Sequence, residues 1–180
     1  MWVTESGDAG CGGNTWASTF LDVFRTANEL GTFAQLTNGV IFHNTLASSD
    51  YGFVAHTTFN PRPNYWFAHI YHKLMGTVVY DTKEEIREGA HVFAHNRKDG
   101  KEGVCYMIVN NSLTETTTVE LEKEAEVYVL SADSIRAPKM KLNGVELNLD
   151  ENNQLPKLNS VKVESGSFDL APATITFIVL

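Results

Sequence analysis

Glu5 is the residue most able to do chemistry in this chain. It ends the short extended segment Trp2-Val3-Thr4-Glu5 and is followed by Ser6-Gly7-Asp8-Ala9-Gly10-Cys11-Gly12-Gly13. A carboxylate at the C-terminal end of a strand stands where parallel α/β barrels present catalytic groups to their loop face. Gly7, Gly10, Gly12 and Gly13 let backbone approach a ligand without side-chain obstruction. Their spacing fits no nucleotide-binding fingerprint, and no phosphate-loop lysine follows. Composition alone reads Glu5 as a solvated surface group; Trp2 and Val3, which suggest a buried strand, argue the other way.

A second candidate is the loop Ser48-Ser49-Asp50-Tyr51-Gly52, which follows the second apolar strand and opens on the same face as Glu5. A Tyr-Gly turn is also a common structural device. In Pro61-Arg62-Pro63-Asn64-Tyr65-Trp66 the aromatic rings can stack on a sugar, although core packing at a helix entrance is the better reading. His69 and His72 share a helical spacing and His91 and His95 one face of a strand, but no carboxylate or cysteine completes a metal-ligand set. Ser6 and Cys11 lack the Gly-x-Ser-x-Gly elbow, and no local motif supplies a histidine to activate them.

The elements that must hold these residues fall into two kinds. Asn14 is placed to cap a helix in which Trp16, Phe20, Val23, Phe24, Ala27 and Leu30 recur at spacings of three and four, with Gly31 as its stop. Val40-Ile41-Phe42 then reads as a short buried strand. A second helix opens at Pro63, aligns Trp66, Ile70 and Leu74, and closes at Gly76. Two successive strand-loop-helix units predict an α/β arrangement with parallel strands.

From about Thr77 the pattern turns to β-branched or alternating segments: Val78–Tyr80, Ala90–Ala94, Val104–Val109, Thr116–Leu121, Val127–Leu130, Lys139–Leu142, Val145–Leu149 and Ala173–Leu180. The turns Lys98-Asp99-Gly100, Asn110-Asn111-Ser112 and Asn143-Gly144 lie between them. This part predicts an antiparallel β-sandwich.

The totals narrow the function further. A chain of 180 residues that is 43% hydrophobic can bury a real core, and its net charge of −8 argues against a nucleic-acid partner. Cys11 and Cys105 match neither a zinc site nor a disulfide scaffold and read as free thiols. No apolar run reaches the roughly 18 residues a membrane span needs. The first residues lack the regions of a signal peptide.

Trp2-Val3-Thr4-Glu5-Ser6-Gly7 with Gly12-Gly13, then Ser18-Thr19-Phe20, Glu29-Leu30-Gly31, the strand at Val40, Asp50-Tyr51-Gly52, Asn60-Pro61-Arg62-Pro63-Asn64-Tyr65-Trp66 and Lys73-Leu74-Met75-Gly76 together resemble the heparanase-like β-glucuronidases of glycoside hydrolase family 79. The similarity is dense over residues 2–80. Beyond them Leu142-Asn143-Gly144, Leu155-Pro156 and Ala171-Pro172 still fit.

The resemblance implies an α/β plus all-β fold: residues 1–76 as the last two βα units of a (β/α)8 barrel and residues 77–180 as the sandwich. It implies Glu5 as catalytic nucleophile, with Gly12, Gly13, Asp50 and Tyr51 in substrate binding. Gly12-Gly13 and Tyr51 match the elements that hold the carboxylate of a glucuronic acid unit. Two positions depart from the pattern: Ser49-Asp50 precedes Tyr51 where heparanase is glycine- and asparagine-like, and His43 stands where an arginine is familiar.

The implied partners are a uronic-acid-containing glycan or glycoside and an N-terminal barrel segment, with no cofactor, metal, nucleic acid or membrane span. Family analogy implies a secreted or lysosome-like setting. The resemblance places the acid/base carboxyl upstream of these residues and leaves two of eight barrel strands here with an uncovered sheet edge, so the chain is expected to be inactive alone and poorly stable over its first 76 residues. A non-enzymatic carbohydrate-binding or interaction module built on the sandwich is the competing reading.

Overall fold

The computed structural model describes residues 1–8, 14–83 and 89–180. The chain forms two compact units. The first comprises Met1–His69, Ala132–Met140 and Glu146–Pro156; the second comprises Ile70–Ser131, Lys141–Val145 and Lys157–Leu180.

In the first unit β1 (Val3–Ser6) and β2 (Ile41–His43) pair in parallel, with Val3 opposite Ile41 and Ser6 opposite His43. Helix α1 (Phe20–Leu36) connects them, and α2 (Pro63–Leu74) follows, so the two expected strand-loop-helix units are present. Phe20, Val23, Phe24 and Ala27 recur at helical spacing and are buried on α1, with Trp66 and Phe67 buried on α2.

The ends of α1 differ from the expectation. Asn14 accepts the Trp16 backbone N–H at 2.8 Å, which makes a local turn instead of a helix cap. The helix starts at Phe20, whose N–H reaches the Ala137 carbonyl at 2.9 Å, so a tertiary contact satisfies one of the donors a cap would have served. Gly31 does not end it. The glycine is buried inside the helix, which runs on to Leu36; a helical glycine costs roughly 1 kcal/mol relative to alanine, little against the burial of a long helix.

The expected buried strand at Trp2 is also corrected. Trp2 is 66% exposed and Phe42 50%, their rings 6.5 Å apart. Ser6 is buried and Val3, Ile41 and His43 are half-buried, whereas Thr4, Glu5 and Phe42 are exposed. One face of this pair is therefore covered and the other open, although parallel strands are usually covered on both.

The second unit is antiparallel throughout. Its strands are β3 (Met75–Tyr80), β4 (Ala90–Arg97), β5 (Val104–Asn110), β6 (Thr117–Leu121), β7 (Ala125–Ser131), β8 (Lys141–Leu142), β9 (Val145–Glu146, reaching the first residue of the other unit), β10 (Val161–Val163), β11 (Gly166–Leu170) and β12 (Thr174–Val179). The large sheet runs β3-β4-β5-β12-β7-β8-β9 with β10 also on β7, and β11 pairs with β6 in a second sheet. Ile108, Val127 and Ile178 of the large sheet pack with Leu121 and Leu170 of the small one. On the opposite face Phe93, Met107, Phe177 and Tyr128 are register partners in one buried belt. Strand β12 is buried at all six positions, so Thr174 and Thr176 are enclosed along with Ile175, Phe177, Ile178 and Val179. Asn143 and Gly144, both at positive φ, make the expected tight turn between β8 and β9.

Candidate active site

The parallel pairing puts the C-terminal ends of β1 and β2 side by side, and the polar groups of both meet there. Glu5 is exposed near the end of β1. Asn44, the first residue after β2, donates its side-chain amide to Glu5 Oε1 at 2.6 Å and its backbone N–H to the Ser6 carbonyl at 2.7 Å. Asn44 was not among the expected site residues. Its signal in the sequence is its place one residue beyond a strand parallel to the one bearing Glu5.

Tyr51 comes to the same end of the sheet. A Cβ on Gly7 would lie 3.1 Å from the Asn44 carbonyl oxygen and 3.9 Å from a Tyr51 ring carbon, so the absence of a side chain lets the turn after β1 close against the loop after β2. Tyr51 is buried, and the loop is fastened by its backbone: Ser18 donates to the Asp50 carbonyl at 2.8 Å, and Arg62 reaches the Ser49 carbonyl at 3.1 Å and that of Asp50. The Asp50 residue is itself exposed. Gly12 and Gly13, with Gly10 and Cys11, lie outside the described residues.

Behind the sheet a polar chain, buried at Ser6, Asp22 and Asn64 and half-buried at Arg25 and Glu29, ties β1 to both helices. Ser6 Oγ donates to Glu29 Oε1 at 2.5 Å, and Arg25 bonds Glu29 at 3.0 Å and Asp22 at 2.7 Å. Asp22 has no exposed surface and also accepts from the Asn64 amide. A carboxylate in that setting requires such partners, since an unpaired buried charge is strongly unfavourable. Ser6, Thr26, Glu29 and His43 share a cleft of about 420 Å³ with apolar neighbours including Leu30 and Phe53. The His43 ring stacks on Phe53, with centroids 4.0 Å apart, and burial holds its pKa below the ordinary 6.5 against a bond to the Tyr51 backbone.

Several other sequence candidates take structural places. Trp66 is 2% exposed, in accord with core packing at the entrance to α2, and Tyr65 stacks against His69. His95 is buried and bonds the Gly76 carbonyl at 2.7 Å. Among the described residues no group of three His, Cys, Asp or Glu side chains is arranged to hold a metal ion, and no helix is long and apolar enough to cross a membrane. Cys105 is a buried free thiol.

No family model matches the chain. Among curated proteins it is 29% identical to the baicalin-β-D-glucuronidase of Scutellaria baicalensis, in an alignment of 188 residues that covers 99% of this chain and 36% of the relative. It is 35% identical over 134 residues to heparanase-like protein 1 of Arabidopsis thaliana, covering 74% of this chain and 24% of that protein. The chain is heparanase-like. A further match, the heparanase of Gallus gallus, is 26% identical, with 93% of this chain and 35% of the relative covered.

Solved glycoside hydrolases share the fold of this heparanase-like chain. An arabinofuranosidase superposes with a TM-score of 0.62 at 15% identity, over 99% of this chain and 41% of its own. A family 30 endoxylanase from Clostridium papyrosolvens gives 0.60 at 14% identity, again over 99% and 41%. The chain thus spans between a quarter and about two fifths of the length of these relatives and structures.

Proposed function

We propose that this chain is the C-terminal part of a retaining glycoside hydrolase that cleaves β-glucuronide-type linkages, and that Glu5 is its nucleophile. The observation carrying the reading is the exposed Glu5 carboxylate at the C-terminal end of a parallel strand, bonded by Asn44 from the adjacent strand end. Residues 1–76 are assigned to the last two βα units of a (β/α)8 barrel and residues 77–180 to a β-sandwich.

Retaining hydrolysis uses two carboxyl groups about 5–5.5 Å apart. Glu5 attacks the anomeric carbon, forming a glycosyl ester while the bond to the aglycone oxygen breaks. The second carboxyl protonates that oxygen, then takes a proton from the water that hydrolyses the ester. Asn44 orients Glu5 for attack. Gly12, Gly13 and Tyr51 are assigned to hold the uronate carboxylate, and Asp50 lies on the same loop to contact substrate. The acid/base role is assigned to a segment preceding these residues, so the 180-residue chain is not sufficient for turnover.

Two measurements test the reading. The purified chain should release no chromophore from a chromogenic β-glucuronide, and release would overturn the assignment of the acid/base to another segment. Joined to the barrel segment, the wild-type chain should turn the substrate over and Glu5→Gln should not, while still binding the sugar. Retained turnover in Glu5→Gln removes Glu5 as nucleophile; sugar binding with no turnover even in the joined wild-type protein favours a carbohydrate-binding module.

A further inference from the structure

Strand β1 does not alternate. From Val3 to Ser6 its residues are half-buried, exposed, exposed and buried. Its pairing takes three residue steps from Val3 to Ser6 while β2 takes two from Ile41 to His43. One extra residue is therefore inserted around Thr4-Glu5. Such a bulge re-aims side chains. Regular alternation from Val3 would put Glu5 on the covered face with Val3; with the bulge, Thr4 and Glu5 both face outward and Ser6 returns to the covered side.

We propose that Ser6, Glu29 and Arg25 form a clamp that fixes this bulge and so keeps Glu5 on the open face. Ser6 and Glu29 are thereby positioning residues, an inference that rests on the reading of Glu5 as nucleophile. Ser6 is gripped at two points: its hydroxyl donates to Glu29 at 2.5 Å, and its carbonyl accepts the Asn44 N–H at 2.7 Å. Arg25 holds the other Glu29 oxygen at 3.0 Å and is itself held by the buried Asp22, which Asn64 of α2 also bonds. The clamp therefore reaches from β1 through α1 to α2. Deleting the Ser6 hydroxyl leaves the Asn44 N–H as the one member of this set that still holds Ser6, the residue that closes the bulge. β1 is then free to relax to regular alternation, which turns Glu5 away from Asn44.

The Asn44 side-chain amide reports this directly in the barrel-joined protein, through its paired signals in a ¹⁵N–¹H spectrum, identified by their loss in Asn44→Ala. Glu5→Ala supplies the position of the amide without its partner. Ser6→Ala and Glu29→Ala should move the signals to that position, whereas Ser6→Thr, which keeps the hydroxyl that Glu29 accepts, should leave them near wild type. Wild-type signals in both alanine variants would overturn the clamp. Should Glu29→Ala fail to fold, Ser6→Ala decides alone, because it removes one oxygen and leaves the Arg25–Glu29 pair intact. This readout needs no turnover, so it stands apart from the Glu5→Gln assay, whose failure would remove the nucleophile and leave the clamp to be judged on the spectrum.

Discussion

Asn44 donates its side-chain amide to Glu5 Oε1 across 2.6 Å, joining the residue just past β2 to the carboxylate near the end of β1. The bond exists because the strands are parallel: both then release their chains at the same end, and a short side chain is enough to cross between them. A hydrogen bond to a charged group is worth about 1.5–3 kcal/mol. Asn44→Ala in the barrel-joined protein should therefore lower kcat by roughly 10- to 100-fold, with KM for the β-glucuronide little changed. Asn44→Asp should fall further, because two carboxylates would then face each other. An unchanged kcat in Asn44→Ala would show that the bond plays no part in attack.

Much of the frame behind that bond was legible in the sequence. The alternation of apolar strand and amphipathic helix gave both βα units, and Pro63 opened α2 as its fixed φ suggests. The placement of Glu5 at a strand end was legible too, but its orientation was not. A bulge leaves no mark in a four-residue segment, and whether Glu5 faces out depends on Ser6 meeting Glu29, 23 positions away. The start of α1 failed for a similar reason: Asn14 has the chemistry of a cap, but the donor at Phe20 is met by Ala137. β10 and β11 escaped notice because Val161–Val163 is short and Gly166–Leu170 carries Gly, Ser and Asp, residues that sheets favour only when a partner such as β6 is in place.

Acid should weaken the second unit through His95. Its Nδ1 lies 2.7 Å from the Gly76 carbonyl, its Nε2 is buried without a hydrogen-bond partner among the described residues, and burial lowers its pKa below 6.5. The folded state therefore favours the neutral ring, whereas the unfolded chain takes up a proton near 6.5. Stability from this residue is complete above that pH and is lost as pH falls from 6.5 toward the lower folded value. His91 is shifted in the same direction by burial. Urea midpoints measured on either side of pH 6.5 should fall on the acid side, and His95→Asn, which keeps a donor for Gly76, should flatten the difference. Equal slopes in the two proteins would remove His95 as the cause.

Cys105 should stay unreactive while the sheet is folded. It has no exposed surface, and burial pushes its thiol up to about 12, so neither access nor thiolate is provided. Labelling by a chromogenic disulfide should track unfolding of the sheet and accelerate in Phe177→Ala. That substitution removes a fully buried ring beside Met107 and Tyr128 and should cost about 3–5 kcal/mol. Fast labelling of the native wild-type protein would show that β5 opens locally.

Asn110 holds the end of β5 to two other segments and should be the most sensitive polar residue of the second unit. It is 1% exposed, and its amide donates to the carbonyls of Glu115 at 3.0 Å and of Leu170 and Ala171 at 3.1 Å each, while its oxygen accepts the Ser112 N–H at 3.1 Å. Two amide hydrogens are shared among three acceptors, so no isosteric apolar side chain can replace them. Asn110→Ala should lower the unfolding free energy by about 2–4 kcal/mol, the cost of leaving buried carbonyls without donors. Asn110→Asp separates this from simple loss of packing. It keeps the shape but turns an acceptor toward three carbonyls, so it should be the less stable of the two at neutral pH and recover part of the loss as acid protonates the new carboxyl. If Asn110→Asp matches wild type in urea at neutral pH, the amide bonds are not what secures this end of the sheet.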